Sequence, residues 1–350
     1  MISLACALCG FLLLSFRLWP RAAADAPPLS LWPKVSIIIP ARNEAHNLPL
    51  LLESLQSLDY PNFETIVVDD NSDDETARIA KSFGVHVITG AAKPEGWFGK
   101  PWACHQGSLA ATGDYLLFTD ADTWHKPESL KKALAECRQH NAQGMTALPY
   151  HSNPKLWEQL LGPFQLLLLA LTHPYGLPKK GRVFAIGQYL IFDTLFYKQI
   201  GGHAAIRSQA VDDLSLAELV LAAKGRWFVY TGKNLYKVRM YTTLPEFLKG
   251  WRRNFRGGME HNNALSSLEV VLYFMAMTIG FDGGKASLLL SVMTLILLAF
   301  TQRRIGNFSF LGIVFLPFSI LLFTSISILA VYDRLRARPL HWKNRIYETQ

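Results

Sequence analysis

An α/β fold is what the sequence predicts: a Rossmann-like, mostly parallel sheet with an N-terminal membrane anchor and C-terminal transmembrane helices. Three observations carry this. Between residues 35 and 137, short β-branched runs alternate with helical periods, the order of a parallel sheet covered on both faces. Acids and the stretch "PARNE" (40–44) stand where those runs end, at the strand exits where such sheets bind ligands. Residues 1–16, 286–300 and 308–331 hold no charge. The last of these is long enough to cross a hydrocarbon core of about 30 Å as a helix.

Taken in order, residues 1–20 read as the anchor and 21–33, with the proline-rich "DAPPLSLWP", as a linker. No basic stretch precedes the apolar one, and Arg17 and Arg21 follow it, which fits an anchor better than a cleaved leader. "VSIII" (35–39), "ETIVVDD" (64–70), "VHVIT" (85–89) and "YLLFTD" (115–120) are continuous buried-strand runs. Helical spacing occupies 46–58, 73–83, 100–111 and 127–137, the third of these entered through Lys100 and the last opening with Pro127. No G-x-G-x-x-G follows the first strand, so a dinucleotide cofactor has no support. Beyond residue 140 the regularity fades. Residues 183–193, 226–231 and 234–241 look like strands, and 211–223 and 244–255 like helices. The apolar segment 154–178, broken by Pro163 and Pro174, reads as a helix in the membrane interface, because a span there would split the domain across the bilayer. The domain is placed at 34–260, a membrane region at 261–331 and a basic cytoplasmic tail at 332–350.

The formal charge of +8 is unevenly spread. Residues 301–350 contribute +5 and residues 1–34 contribute +2. The basic ends point to anionic lipid head groups, not nucleic acid. Cys6 and Cys9 lie in the anchor, and Cys104 and Cys137 have no ligand-spaced companions, so neither a disulfide framework nor a zinc site is expected.

The acids carry the chemistry. "LLFTDADTW" (116–124) ends a strand in Asp120 and Asp122. Two carboxylates so close repel unless a cation lies between them, and Mg²⁺ or Mn²⁺ takes such oxygens and shares them with substrate phosphates. The competing reading is a solvated turn or a helix cap at Asp122. In "VVDDNSDDET", Asp70 is placed to bind ligand, whereas Asp73 and Asp74 read as helix caps. Lys100 in "WFGKPWACHQG" stands at a helix start and suits a phosphate; a surface lysine is the alternative. Asp212 and Asp213 open the helix "DDLSLAELV". They could cap it or supply a general base. Arg252, Arg253 and Arg256 cluster in "GWRRNFRGG", suited either to lipid phosphates or to a diphosphate.

In this order and spacing, "PARNE", "VVDDNSDDET", "TDADT" and "VDDLSLAEL" resemble glycosyltransferase family 2, which has the GT-A fold, over about residues 34–256. The stretches "GGHAAIRS" (201–208), "RMYTTLPEFLKGWRRN" (239–254), "RRIGNFSF" (303–310) and "WKNRIY" (342–347) are similar to the bacterial membrane-bound carotenoid glycosyltransferases of the diaponeurosporenoate type. The resemblance implies inverting transfer of a sugar from a nucleotide-sugar donor. Asp213, with Asp212, would be catalytic, and Asp120 and Asp122 would hold the metal, Mg²⁺ or Mn²⁺. Pro40, Arg42, Glu44, Asp70, Lys100, Asp120, Arg252 and Arg253 would contact the donor, a UDP-sugar such as UDP-glucose. Trp97, Gly202, His203 and Leu166 would lie on the acceptor side. Processive synthases of the family carry Q-x-x-R-W. Here "KGWRRN" puts Arg253 at the arginine and Asn254 at the tryptophan, a departure that favours single sugar addition over polymerisation.

A carboxylate acceptor is ionised at neutral pH and needs no base, whereas a hydroxyl does. The pair Asp212 and Asp213 therefore favours a hydroxyl on a lipid acceptor, a carotenoid or related isoprenoid. Rival readings are a glycolipid or hopanoid-type transferase, and an inactive membrane scaffold that binds nucleotide sugar. For topology, residues 267–281 are expected in the interface and the last two apolar segments as a hairpin, leaving catalytic domain and basic tail cytoplasmic in a multi-pass cell-membrane protein.

Overall fold

The computed structural model describes residues 2–18, 31–172, 183–209, 211–258, 272–273, 284–336, 338, 340–342 and 345–347. The expected interfacial stretch 267–281, apart from 272–273, and most of the linker lie outside the described residues. The chain forms two compact units: residues 22–149, 174–240 and 339–350 make an α/β unit, and residues 1–21, 150–173 and 241–338 make a helical one. Segments 150–173 and 241–258 thus group with the terminal helices and not with the sheet, unlike the single block 34–260 read from the sequence.

In the α/β unit the elements run β1 (Val35–Ala41), α2 (Leu48–Gln56), β2 (Phe63–Asp69), α3 (Thr76–Ser82), β3 (His86–Thr89), α4 (Gly99–Ala110), β4 (Tyr115–Phe118), β5 (Thr123–His125), α5 (Ser129–Gln139) and β6 (Gly144–Leu148). After the excursion into the helical unit come β8 (Leu190–Asp193), α8 (Thr194–Gln199), α9 (Gly202–Ala205), α10 (Asp212–Ala222), β9 (Trp227–Thr231) and β10 (Tyr236–Val238). Seven strands form one sheet in the order β3-β2-β1-β4-β8-β6-β9. Only β8 runs antiparallel to its neighbours β4 and β6; the remaining pairs are parallel. Ile37, Ile38 and Ile39 of β1 are fully buried, as are Leu116 and Leu117 of β4. Continuous burial explains why these strands read as unbroken apolar runs and not as an alternation. β5 and β10 pair antiparallel outside the main sheet.

Two differences from the sequence reading concern this unit. β6, the parallel partner of β9, and the short β5 were not legible in the sequence: "GMTAL" and "TWH" are too short and too mixed to show a period. The strand expected at 183–193 is confined to Leu190–Asp193, which leaves Ala185–Gln188 as an irregular approach to the sheet.

The helical unit contains α1 (Ile2–Leu18), the short β7 (Tyr150–His151) and α6 (Leu156–Gln159), α7 (Gly162–Thr172), α11 (Leu244–Gly258), α12 (Lys285–Ile305), α13 (Leu311–Val314) and α14 (Leu316–Leu335). α12 and α14 are long and apolar enough to cross a membrane. α7 covers most of the described part of the expected interfacial helix. Phe164, Leu166, Leu167 and Ala170 are buried, and α7 packs against α1, α12 and α14. The physical reason lies in "GPFQLLLLALT": it has no charged face, and an interfacial helix needs one, whereas a helix apolar all round belongs inside a bundle. Leu166 is therefore packed in the interior of this unit.

The amphipathic helix is α11 instead. Phe247, Trp251 and Phe255 pack against Phe164, while Arg252 and Arg256 lie on another face. "RRIGNFSF" also finds a role here: Asn307 Oδ1 accepts from the Asn153 backbone N–H at 2.6 Å and from its amide at 3.1 Å. This clasps the turn between α12 and α13 to the start of the 150–173 segment.

Candidate active site

The strand ends of the α/β unit gather the predicted acids. Asp69 closes β2 in register with Ala41 at the end of β1, so Arg42–Glu44 and Asp70–Asp74 leave the sheet side by side. Asn43 and Asn71 turn the chain with φ of 53° and 54°, a left-handed backbone that asparagine tolerates. The two loops are laced together. The Glu44 N–H donates to Thr76 Oγ1 at 2.8 Å, the Ala45 N–H to Asp74 Oδ2 at 3.1 Å, and the Asp73 N–H to Asn43 Oδ1 at 2.8 Å. Asp74 also accepts from the Thr76 N–H at the start of α3, the capping expected of it. Arg42 Nη1 donates to the Asp70 carbonyl at 2.6 Å, and Asp70 is 3% exposed. Pro40 sits one residue before the end of β1, opposite Val68.

Beyond β4 stand Asp120 and Asp122. Lys100, in the first turn of α4, reaches Asp120 Oδ1 at 2.6 Å. Burial works against the Lys100 charge, but the Asp120 and Asp212 carboxylates outweigh it and hold its pKa well above the ordinary lysine value. Asp122 is pushed well above the carboxylate range by burial, then by the Asp120 and Glu44 charges, and its Oδ1 is buried without a hydrogen-bond partner. A buried, orphaned carboxylate oxygen beside a second carboxylate fits a divalent cation. Among the described residues no group of three His, Cys, Asp or Glu side chains gathers as a metal cage. Two protein carboxylates with the remaining positions left to phosphate oxygens is the usual arrangement for Mg²⁺.

A buried polar network that the sequence did not reveal fixes this turn. Thr119 Oγ1 donates to the Gln188 carbonyl at 2.9 Å and lies 3.0 Å from Thr123 Oγ1 and 3.1 Å from His125 Nε2. Thr123 Oγ1 in turn donates to the Asp120 carbonyl at 2.8 Å. Burial depresses the His125 pKa to about 3, so its ring stays neutral and serves the network by hydrogen bonding. The only sequence trace of this is two threonines flanking the acids.

The second acid pair opens α10. Asp213 Oδ2 accepts from the Gly187 N–H and Oδ1 from the Leu214 N–H, both at 2.8 Å. Such donors favour the ionised form, and so does Lys100. Burial, followed by the Asp212 charge, nevertheless raises the Asp213 pKa to about 7. Gly187 is a site residue that sequence reasoning missed. A Cβ there would stand 2.7 Å from Lys100 Nζ and 3.6 Å from Asp213 Oδ2, so the missing side chain leaves room for both. Lys100 thus links the two acid pairs.

The acceptor-side candidates separate. Trp97 is half-buried and meets Trp102 edge-on and His105 at a tilt, at centroid distances of 4.9 and 5.1 Å. Gly202 and His203 are interior residues, and His203 is 0% exposed. Arg252 belongs to the helical unit, where it makes a two-pronged ion pair with Asp333 of α14. Sequence reasoning passed over this carboxylate partner. Arg253 is on the same helix, half-buried.

The comparisons agree with this geometry. In fold the chain is similar to a mannosyltransferase, PcManGT, from Pyrobaculum calidifontis, solved in complex with GDP-Man and Mn²⁺, with a TM-score of 0.60, 16% identity and 96% of each chain covered. A mostly parallel sheet of this kind, with acids at its strand ends, is the GT-A fold of nucleotide-sugar transferases. The family model for glycosyl transferase family 2 matches residues 36–213, and the chain belongs to that family; it is a glycosyltransferase. It is 27% identical to the 4,4'-diaponeurosporenoate glycosyltransferase of Staphylococcus haemolyticus, over 89% of this chain and 88% of the relative. The identity and both coverages are the same for the enzyme of Staphylococcus aureus strain USA300.

Proposed function

We propose that this enzyme transfers a single sugar, with inversion, from UDP-glucose to a hydroxyl of a membrane carotenoid or related isoprenoid. The observation that carries the reading is Asp213: a buried carboxylate raised to about 7, linked through Lys100 to the acid pair beyond β4. A base with a pKa near the working pH is best matched to removing a hydroxyl proton. The base reading fits a hydroxyl acceptor better than a carboxylate.

In this mechanism Asp213 takes the acceptor proton, and the freed oxygen attacks the anomeric carbon from the face opposite the leaving diphosphate. Asp70, Arg42, Glu44 and Pro40 hold the nucleoside. Lys100 leaves Asp120 to meet the diphosphate. Asp120 and Asp122 would hold Mg²⁺ or Mn²⁺, which neutralises charge on the leaving group when bound. The clustered rings of Trp97, Trp102 and His105 offer an aromatic surface to a polyene. The names of the staphylococcal relatives support a polyene acceptor, and the GDP-Man and Mn²⁺ complex of the Pyrobaculum enzyme supports a nucleotide sugar and a divalent cation. The apolar α12 and α14 and the arginine-bearing α11 support a membrane location, with the catalytic unit cytoplasmic.

The test is UDP release from UDP-glucose by full-length protein in liposomes. Paired carotenoids are offered, one ending in a hydroxyl and one in a carboxyl, with and without EDTA. Transfer to the hydroxyl substrate that EDTA abolishes is expected. Transfer to the carboxyl substrate alone would overturn the hydroxyl assignment, and absence of any transfer would favour an inactive scaffold.

A further inference from the structure

Behind the second acid pair lies a buried imidazole that the mechanism above does not use. His203 Nδ1 lies 2.6 Å from Tyr197 Oη, and the same phenol oxygen accepts the His203 backbone N–H at 3.0 Å. With its oxygen already accepting, the phenol O–H is the donor to Nδ1, which leaves the ring proton on Nε2. Nε2 faces Asp212 Oδ2 at 3.9 Å. Both atoms are buried, and neither has a hydrogen-bond partner. Two orphaned polar atoms facing each other about 1 Å beyond hydrogen-bond reach form a contact that a small closure completes.

The backbone is shaped for this arrangement. Gly201 and Gly202 have φ of 81° and 49°, and a Cβ on Gly202 would meet the Tyr197 ring at 2.4 Å. The edge of Phe118 holds the ring at a centroid distance of 4.7 Å. Burial, with the Lys100 and His105 charges, depresses the His203 pKa to about 3, so the ring is neutral and presents a single N–H. The other titratable groups facing this region are Cys104 on α4, Asp120 beyond β4, and Asp213.

We propose that His203 is a positioning residue for catalysis, donating its Nε2–H to Asp212 Oδ2 in the reacting state and thereby holding Asp212 fixed beside Asp213. This rests on the base role proposed above for Asp213. A neutral donor behind Asp212 draws its negative charge away from Asp213, so loss of that donor makes the Asp213 proton harder to remove.

The experiment is the pH profile of kcat/KM from pH 5 to 10, with UDP-glucose and the hydroxyl carotenoid, for wild type, His203→Phe, His203→Gln, Tyr197→Phe and Asp213→Asn. His203→Phe is expected to move the acid limb up by about one pH unit. The loss is then about tenfold below the midpoint and small at pH 9. His203→Gln, which keeps a donor, restores most of the shift, and Tyr197→Phe gives a smaller shift of the same sign. Melting curves identify any variant that folds poorly; if His203→Phe does, His203→Gln against Tyr197→Phe still reads the limb. A loss uniform across pH, or a limb unmoved in all His203 and Tyr197 variants, overturns the inference. If wild type shows no acid limb, or Asp213→Asn retains turnover, the base reading falls and takes this one with it; a limb that depends on Asp213 but not on His203 sinks this inference alone.

Discussion

The two acid pairs of the α/β unit are alike in sequence and opposite in environment. Asp120 and Asp122 lie on a turn beyond β4, one neutralised by Lys100 at 2.6 Å, the other with an orphaned oxygen. Asp212 and Asp213 open a helix, and Asp213 is already met by two backbone N–H groups. The first pair has acceptor capacity left over, which suits a cation and the phosphates it binds. In the second, Asp213 has its geometry fixed by the two N–H groups and its proton affinity raised, which suits proton transfer. The lesson is that two carboxylates side by side do not define a role; the donors left around them do.

The sharpest break of this comparison is Asp213→Asn. A fixed base is worth about 10²–10⁴ in rate, so kcat should fall by that factor while UDP-glucose binding, read by calorimetry, stays within about twofold. Loss of binding instead would make Asp213 a donor ligand. Asp122→Asn should cost about 10²-fold in turnover and raise the Mn²⁺ concentration needed for half-activity, which a metal titration after EDTA stripping checks. An unchanged metal requirement would move the cation site elsewhere. Lys100→Met should raise the KM for donor by about tenfold, the scale of one charge-assisted hydrogen bond, and should also change the pH profile, because Lys100 faces both pairs.

The pH dependence sharpens the contrast further. Asp213 is a base only when deprotonated, and its pKa is raised to about 7. Activity should therefore climb about tenfold per pH unit below that value and level off above it. Steady-state rates from pH 5 to 9 test this. The smallest effect is expected from Thr119→Val. It removes a hydroxyl that serves Gln188, Thr123 and His125, and should cost about 1–3 kcal/mol of stability, read as a lowered melting temperature, with the metal titration shifted less than by Asp122→Asn.

Legibility followed the range of the interactions. β1 to β4 and their helices were placed within a few residues, because a strand buried on both faces writes its burial into consecutive apolar letters. Asp70, Asp120 and Asp122 could be placed just beyond strand ends because strand ends are local features. The burial of α7 inside the helical unit was not legible in the 154–178 segment, because hydropathy reports how apolar a helix is and not what covers it. Asp333 was overlooked as a lone charge at the end of an apolar run, although a carboxylate in such a place needs a partner, and Arg252 supplies it.

By itself, the sequence determined the parallel α/β core, the strand-end acids, the terminal apolar helices and the family, all of which depend on period, order and spacing along the chain. The tertiary structure alone decided that Lys100 joins the two acid pairs, that Gly187 offers its N–H to Asp213, and that His203 stands neutral between Tyr197 and Asp212. Those facts depend on desolvation and on contacts between segments far apart in the chain, such as α4, the approach to β8 and the start of α10. Neither quantity is carried by any local run of residues.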